Sequence, residues 1–254
     1  MSLDLDERQR GMLAEIGVRV FLPAAPVREA APAIEAQPAA RAPVAAPVVR
    51  ERPVAAPALS SRATGVELMD WAALQASVAE CRACKLCNGR RNTVFGVGPQ
   101  RADVLVVGEA PGENEDQQGE PFVGQAGKLL DNMLKALGLD RRSSVYIANV
   151  LKCRPPGNRN PEPEEVAQCE PFLRRQVALL EPRVILAMGR FAVQSLLQTS
   201  EPIGKLRGRV HRYNGVPVVV TYHPAYLLRN LPDKAKAWAD LCFAQSILGS
   251  GGPR

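Results

Sequence analysis

Long apolar runs are missing from this sequence: no stretch approaches the roughly 18 residues that a membrane span requires. The amino terminus, MSLDLDERQRG, is charged and acidic where a signal peptide would be basic and then apolar. Both absences predict a cytoplasmic protein. In that reducing compartment the six cysteines are not expected to pair as disulfides, and metal binding becomes the leading reading for any cluster of them. Aromatics are scarce, at 5% of 254 residues. That length suits one α/β core with an appendage and does not comfortably hold two full enzymatic domains. Acidic residues are absent from Pro202 to Pro232, while Lys205, Arg207, Arg209, Arg212 and Arg229 fall inside. Residues 66–254 carry 24 Lys and Arg against 19 Asp and Glu, most of the net charge of +6. This balance fits a polyanionic partner, though a solvated basic loop would produce it equally.

What is present divides the chain into three. Residues 1–22 have the pattern of a short amphipathic helix suited to docking an unidentified protein, with Leu3, Met12, Leu13, Ile16 and Val20 as its apolar members. Residues 23–65 form an Ala/Pro-rich tract whose prolines deny helices and ladders their donors, which predicts a disordered tether. Residues 66–254 alternate strand and helix signals. Strands are expected at 104–107, 145–149, 184–187 and 216–220, and helices at 67–80, 124–137, 161–180, 190–197 and 233–248, with Asn160 capping the third and Pro171 kinking it. Strands separated by helices predict an α/β fold of three layers (αβα) around a central, mainly parallel four-stranded sheet.

In such sheets ligands bind beyond the carboxyl ends of the strands. The loops there are unusual: Gly108-Glu109-Ala110-Pro111-Gly112, then Asn149 with Lys152-Cys153-Arg154-Pro155-Pro156, and finally Tyr222-His223-Pro224. The cysteines add a second constellation. Cys81-x-x-Cys84, with Cys153 and Cys169 far downstream, can close a four-thiolate site that suits either structural zinc or a [4Fe–4S] cluster. Cys87 extends the pair to CxxCxxC and can substitute for a ligand, while Cys242 is read as core packing on the last helix.

The segments Gly108-Glu-Ala-Pro-Gly112, Pro121-Phe-Val-Gly124, Asn149-Val-Leu-Lys-Cys-Arg-Pro-Pro156 and His223-Pro-Ala-Tyr-Leu-Leu-Arg-Asn230 resemble the motifs of family 4 uracil-DNA glycosylases. The resemblance runs from about Cys81 to Leu248. It implies a DNA-repair enzyme that flips uracil out of single- or double-stranded DNA and hydrolyses its N-glycosidic bond, leaving an abasic site. It also implies a monomer carrying a structural [4Fe–4S] cluster on Cys81, Cys84, Cys153 and Cys169.

Residue by residue, the resemblance makes Phe122 the stacking residue and Asn149 the amide that reads the uracil edge, since an amide donates and accepts at once. His223 would donate a hydrogen bond to the uracil oxygen as charge develops there. The GEAPG turn, with Ala110, offers backbone N–H groups to the substrate. Glu109 is the first carboxylate for orienting water and Glu115 its competitor, because Ala110 stands where a better-known glycosylase family has a water-activating Asp. Lys205, Arg207 and Arg209 would meet phosphates, and Leu228 with Arg229 would enter the space left by the base. A sister family that bonds covalently to such DNA carries a reactive His after the second strand, where this chain has none.

Overall fold

The computed structural model describes residues 65–250. The expectations for 1–22 and for the tether lie outside those residues, Gly65 apart.

Four parallel strands form where hydrophobic runs predict them. These are β1 (Val104–Gly108), β2 (Val145–Asn149), β3 (Val184–Met188) and β5 (Val216–Thr221). Nearly every residue of the first three is buried, as expected of strands covered on both faces. The sheet has five strands, not four, in the order β2-β1-β3-β5-β4. The addition, β4 (His211–Tyr213), lies within the basic stretch and pairs antiparallel with β5. Its turn is Asn214-Gly215, with φ of 47° and 83°. Asn-Gly at a two-residue hairpin turn is a strong local signal, because both positions need a left-handed backbone. Proline at 217 and the short, charged first arm concealed it.

Helices cover both faces. Packed on one are α1 (Trp71–Glu80), α4 (Pro163–Leu180) and α5 (Arg190–Leu197); on the other are α3 (Gln125–Ala136) and α8 (Asp233–Ser250). Short helices α2 (Glu113–Gln118), α6 (Ile203–Leu206) and α7 (Pro224–Leu227) lie in the loops. The expected helix 67–80 is divided, because Asp70 accepts a hydrogen bond from the Ala73 N–H at 2.8 Å and starts α1 afresh after a 3-10 turn. Helix α4 begins later than predicted. Glu162, not Asn160, is the cap, and Glu165 reaches back to the Glu162 N–H at 3.0 Å.

The chain leaves β1 for β2 on one side and then crosses to β3 on the other, so the order reverses between β1 and β3. A crevice is expected at that reversal. A third apolar cluster, of Leu74, Val78, Leu86, Leu151, Phe172 and their neighbours, joins α1 and α4 to the loop after β2 and includes Cys153 and Cys169.

Candidate active site and cysteine site

Beyond the carboxyl ends of β1, β2, β3 and β5 lies a cleft of about 800 Å³. Glu109, Ala110, Glu115, Phe122, Asn149, His223 and Arg229 all line it, so residues up to 120 positions apart meet there. The close approach depends on Gly108. A Cβ at that position would overlap Asn149 Oδ1 and lie 2.7 Å from the Phe122 ring. Phe122 is itself left-handed, with φ of 55°, an uncommon state for a bulky residue. Arg141 holds it there, donating to the Phe122 carbonyl at 3.0 Å and the Pro121 carbonyl at 3.3 Å. Gly127 of α3 leaves the room in which the Phe122 carbonyl lies, since a Cβ there would overlap it.

The Phe122 ring stacks on His223, with centroids 5.3 Å apart and planes 26° from parallel. His223 caps α7, its Nδ1 accepting the Ala225 N–H at 3.1 Å. With Nδ1 an acceptor, the ring proton belongs on Nε2. Burial pulls the His223 pKa down to about 4, against the attraction of Glu115, so the ring is neutral at pH 7. Burial acts oppositely on Glu109, raising its carboxyl to about 7, while the positive charge of Arg190 restrains the rise. Glu115 is a clamp. Its carboxylate accepts the N–H groups of Gly112 at 3.1 Å, Val123 at 3.0 Å and Gly124 at 3.3 Å, tying the GEAPG turn to the Phe122 loop.

Other predicted residues lie apart from this cleft. Arg207 donates to Asp240 at 2.6 and 2.9 Å, and both side chains are largely buried. Arg209 faces Glu201 at 3.4 Å on the surface, and Lys205 is exposed on α6. In the wedge loop Leu228 is 43% exposed whereas Leu227 is core. Arg190, which no sequence motif marks, lines the cleft, its guanidinium 4.6 Å over the Phe191 ring. Tyr226, given no role by the sequence, also lines it and stacks on Tyr222 at 5.2 Å. Arg190 had a signal, for it follows β3 in the position where the other strand ends carry site residues.

The thiols of Cys81, Cys84, Cys87, Cys153 and Cys169 line one narrow space between α1, α4 and the loop after β2. Burial raises the Cys153 thiol to about 11 and the Cys169 thiol to about 12, the nearby Arg90 and the Lys152 N–H opposing it in turn. Arg90 donates to Cys153 Sγ at 3.0 Å, and the Lys152 N–H to Cys169 Sγ at 3.3 Å. Among the described residues no three His, Cys, Asp or Glu side chains close round a single metal ion. Cys242 faces solvent, contrary to the core role expected of it, because its side of α8 turns away from the sheet.

Lys152 is almost fully buried, and its Nζ donates to the Asn149 carbonyl at 2.8 Å and to Gln176 Oε1 at 2.6 Å. Burial lowers its pKa to about 8, with Cys169 and Cys153 holding it up.

The description of the uracil DNA glycosylase superfamily fits residues 95–242, over half of the chain, and the chain belongs to that superfamily. Within it the chain is 47% identical over 159 residues to the type-4 uracil-DNA glycosylase of Archaeoglobus fulgidus, covering 59% of this chain and 79% of that protein. It is 45% identical to the type-4 enzyme of Saccharolobus solfataricus, covering 61% and 76% respectively. A type-5 uracil-DNA glycosylase of Pyrobaculum aerophilum is more distant, 33% identical over 51% of this chain. No helix of the described residues is long and apolar enough to cross a membrane.

Proposed function

We infer that this protein is a monofunctional uracil-DNA glycosylase of the type-4 kind, which hydrolyses the N-glycosidic bond of uracil in DNA and leaves an abasic site. The observation that carries this reading is the meeting of Phe122, Asn149, His223 and Glu109 in one cleft at the switch point of a parallel sheet. A base extruded from the stack lies against Phe122, and the amide of Asn149 pairs with its edge. As the bond breaks, negative charge gathers on the uracil oxygen. The neutral His223 donates to it from Nε2, so the base leaves as a stabilised anion without first taking a proton. Glu109 as carboxylate orients the attacking water and faces the cationic sugar. Glu115 acts through the loops it ties together.

Leu228 is an exposed apolar group that fills the vacated stack, with Arg229 beside it; Lys205, exposed on α6, and Arg209, whose surface pairing with Glu201 a phosphate can replace, meet the backbone. We assign catalysis to residues 66–254, acting as a cytoplasmic monomer on single- or double-stranded DNA.

For the cysteine site we propose a [4Fe–4S] cluster held by Cys81, Cys84, Cys153 and Cys169. These four thiols line one shared space, which is the donor set an iron–sulfur cluster takes, and the likeness to type-4 enzymes favours that group over zinc. When bound, the group supplies charge that keeps the thiols ionised and a crosslink between elements, and takes no part in bond cleavage.

Release of uracil from a labelled oligonucleotide without added metal tests the function. Wild type is expected to release the base, and His223→Ala and Asn149→Ala to lose most activity while still folded. A folded, iron-loaded wild type that releases nothing overturns the reading.

A further inference from the structure

A buried ammonium needs a counter-charge, and Lys152 has none of the usual kind. Its Nζ donates only to the neutral oxygens of Asn149 and Gln176, and among the described residues it forms no ion pair with a carboxylate. An isolated ion in an apolar interior is costly enough that such groups are paired in stable proteins. Lys152 lines the same narrow space as the thiols of Cys153 and Cys169, and its own N–H points at the Cys169 sulfur at 3.3 Å. The same side chain grips the main chain of Asn149, the residue whose amide faces the uracil edge. Gln176 completes the brace, accepting from Lys152 and donating to the Phe95 carbonyl at 3.0 Å.

We propose that Lys152 is a positioning residue that balances the negative charge of the filled cysteine site and, through the Asn149 carbonyl, holds the uracil-reading amide in place. It makes the cysteine site and base recognition one unit. This rests on reading the cysteines as an iron–sulfur site and the cleft as a uracil site. Arg90, which donates to Cys153 from the other side, balances charge without touching Asn149.

The test uses anaerobically purified, iron-loaded full-length protein, with Lys152→Met and Arg90→Gln variants. Two quantities are read: the reduction potential of the cluster by voltammetry, and inhibition of the enzyme by free uracil. Lys152→Met is expected to shift the potential to more negative values, because a nearby positive charge is lost, and to weaken uracil inhibition roughly ten-fold. Binding of abasic product DNA should change much less. Arg90→Gln should move the potential in the same direction with a smaller effect on uracil. Where Lys152→Met fails to fold, Gln176→Met carries the test, since it frees one of the two Nζ contacts and leaves the sulfurs alone. It should weaken uracil inhibition with iron content intact.

Wild-type uracil inhibition in a folded, iron-loaded Lys152→Met protein, or in Gln176→Met where that variant carries the test, overturns the positioning role. An unmoved potential in Lys152→Met overturns the charge role. A wild type that is colourless and holds zinc instead overturns the iron–sulfur reading beneath the proposal, and a wild type inactive on uracil-DNA overturns the functional one.

Discussion

Glu109 occupies a place where a carboxylate is disfavoured, and that has consequences of opposite sign for activity and stability. Its carboxyl is raised from 4.5 to about 7 by burial, so near neutral pH only part of the protein holds the ionised form that is proposed to orient water. The rate kcat/KM is expected to rise with pH and level off above about 7, and Glu109→Gln should lose both most of the rate and that limb. An unchanged pH profile in Glu109→Gln would assign the limb elsewhere. For stability the raised value works the other way. The contribution of Glu109 is full below 4.5 and is lost as pH rises through about 7, because the unfolded chain ionises first. His223 contributes no limb near neutrality, being depressed to about 4. Its replacement by Ala removes the donor proposed for the developing anion, which should lower kcat by about 10²–10³ with KM little changed.

Among elements, the packing of α8 against β5 and β3 separates two meanings of a basic residue. Arg207 lies in the acid-free stretch, and charge alone reads it as a phosphate contact. The geometry commits it to Asp240 of α8, whose side chain is 3% exposed. Arg207→Ala strands that carboxylate and should cost about 3–5 kcal/mol of stability by denaturant unfolding. Arg229→Ala should instead reduce by about one the slope of log affinity against log salt. The reverse pattern would return Arg207 to the DNA.

Such pairings are what a sequence hides. The four parallel strands and the principal helices were legible because hydrophobic runs and periodicity are local. The partner of Arg207 lies 33 residues away and depends on how α8 folds back. The clamp role of Glu115 was hidden for the same reason, since three N–H groups from two loops must converge before a carboxylate becomes a tie. Phe122, Asn149 and His223 were singled out because each sits in a recognisable motif, Asn149 and His223 at or just after a strand signal and Phe122 in the Pro-Phe-Val-Gly loop before a helix. Arg190 sits at an equivalent place without one.

At the scale of the molecule, everything the proposed reaction needs lies within residues 66–250. The cleft is lined between Glu109 and Arg229, the cysteine site draws on Cys81 to Cys169, and the core clusters begin at Val66. The first 65 residues hold 8 Lys and Arg against 7 Asp and Glu, so they add almost nothing to the attraction for a phosphate backbone. The salt dependence of DNA binding follows the number of phosphates neutralised, and that number should then be set by residues 66–254. A chain of residues 65–254 should therefore keep its iron, its uracil-excision rate within about two-fold and its salt slope, since the counterion-releasing charges all remain. Excision kinetics and binding from low to moderate salt compare the two forms. A flattened slope would mean that the amino-terminal arginines reach the DNA after all. An unchanged slope with a lower rate would move the boundary of the catalytic domain toward the amino terminus.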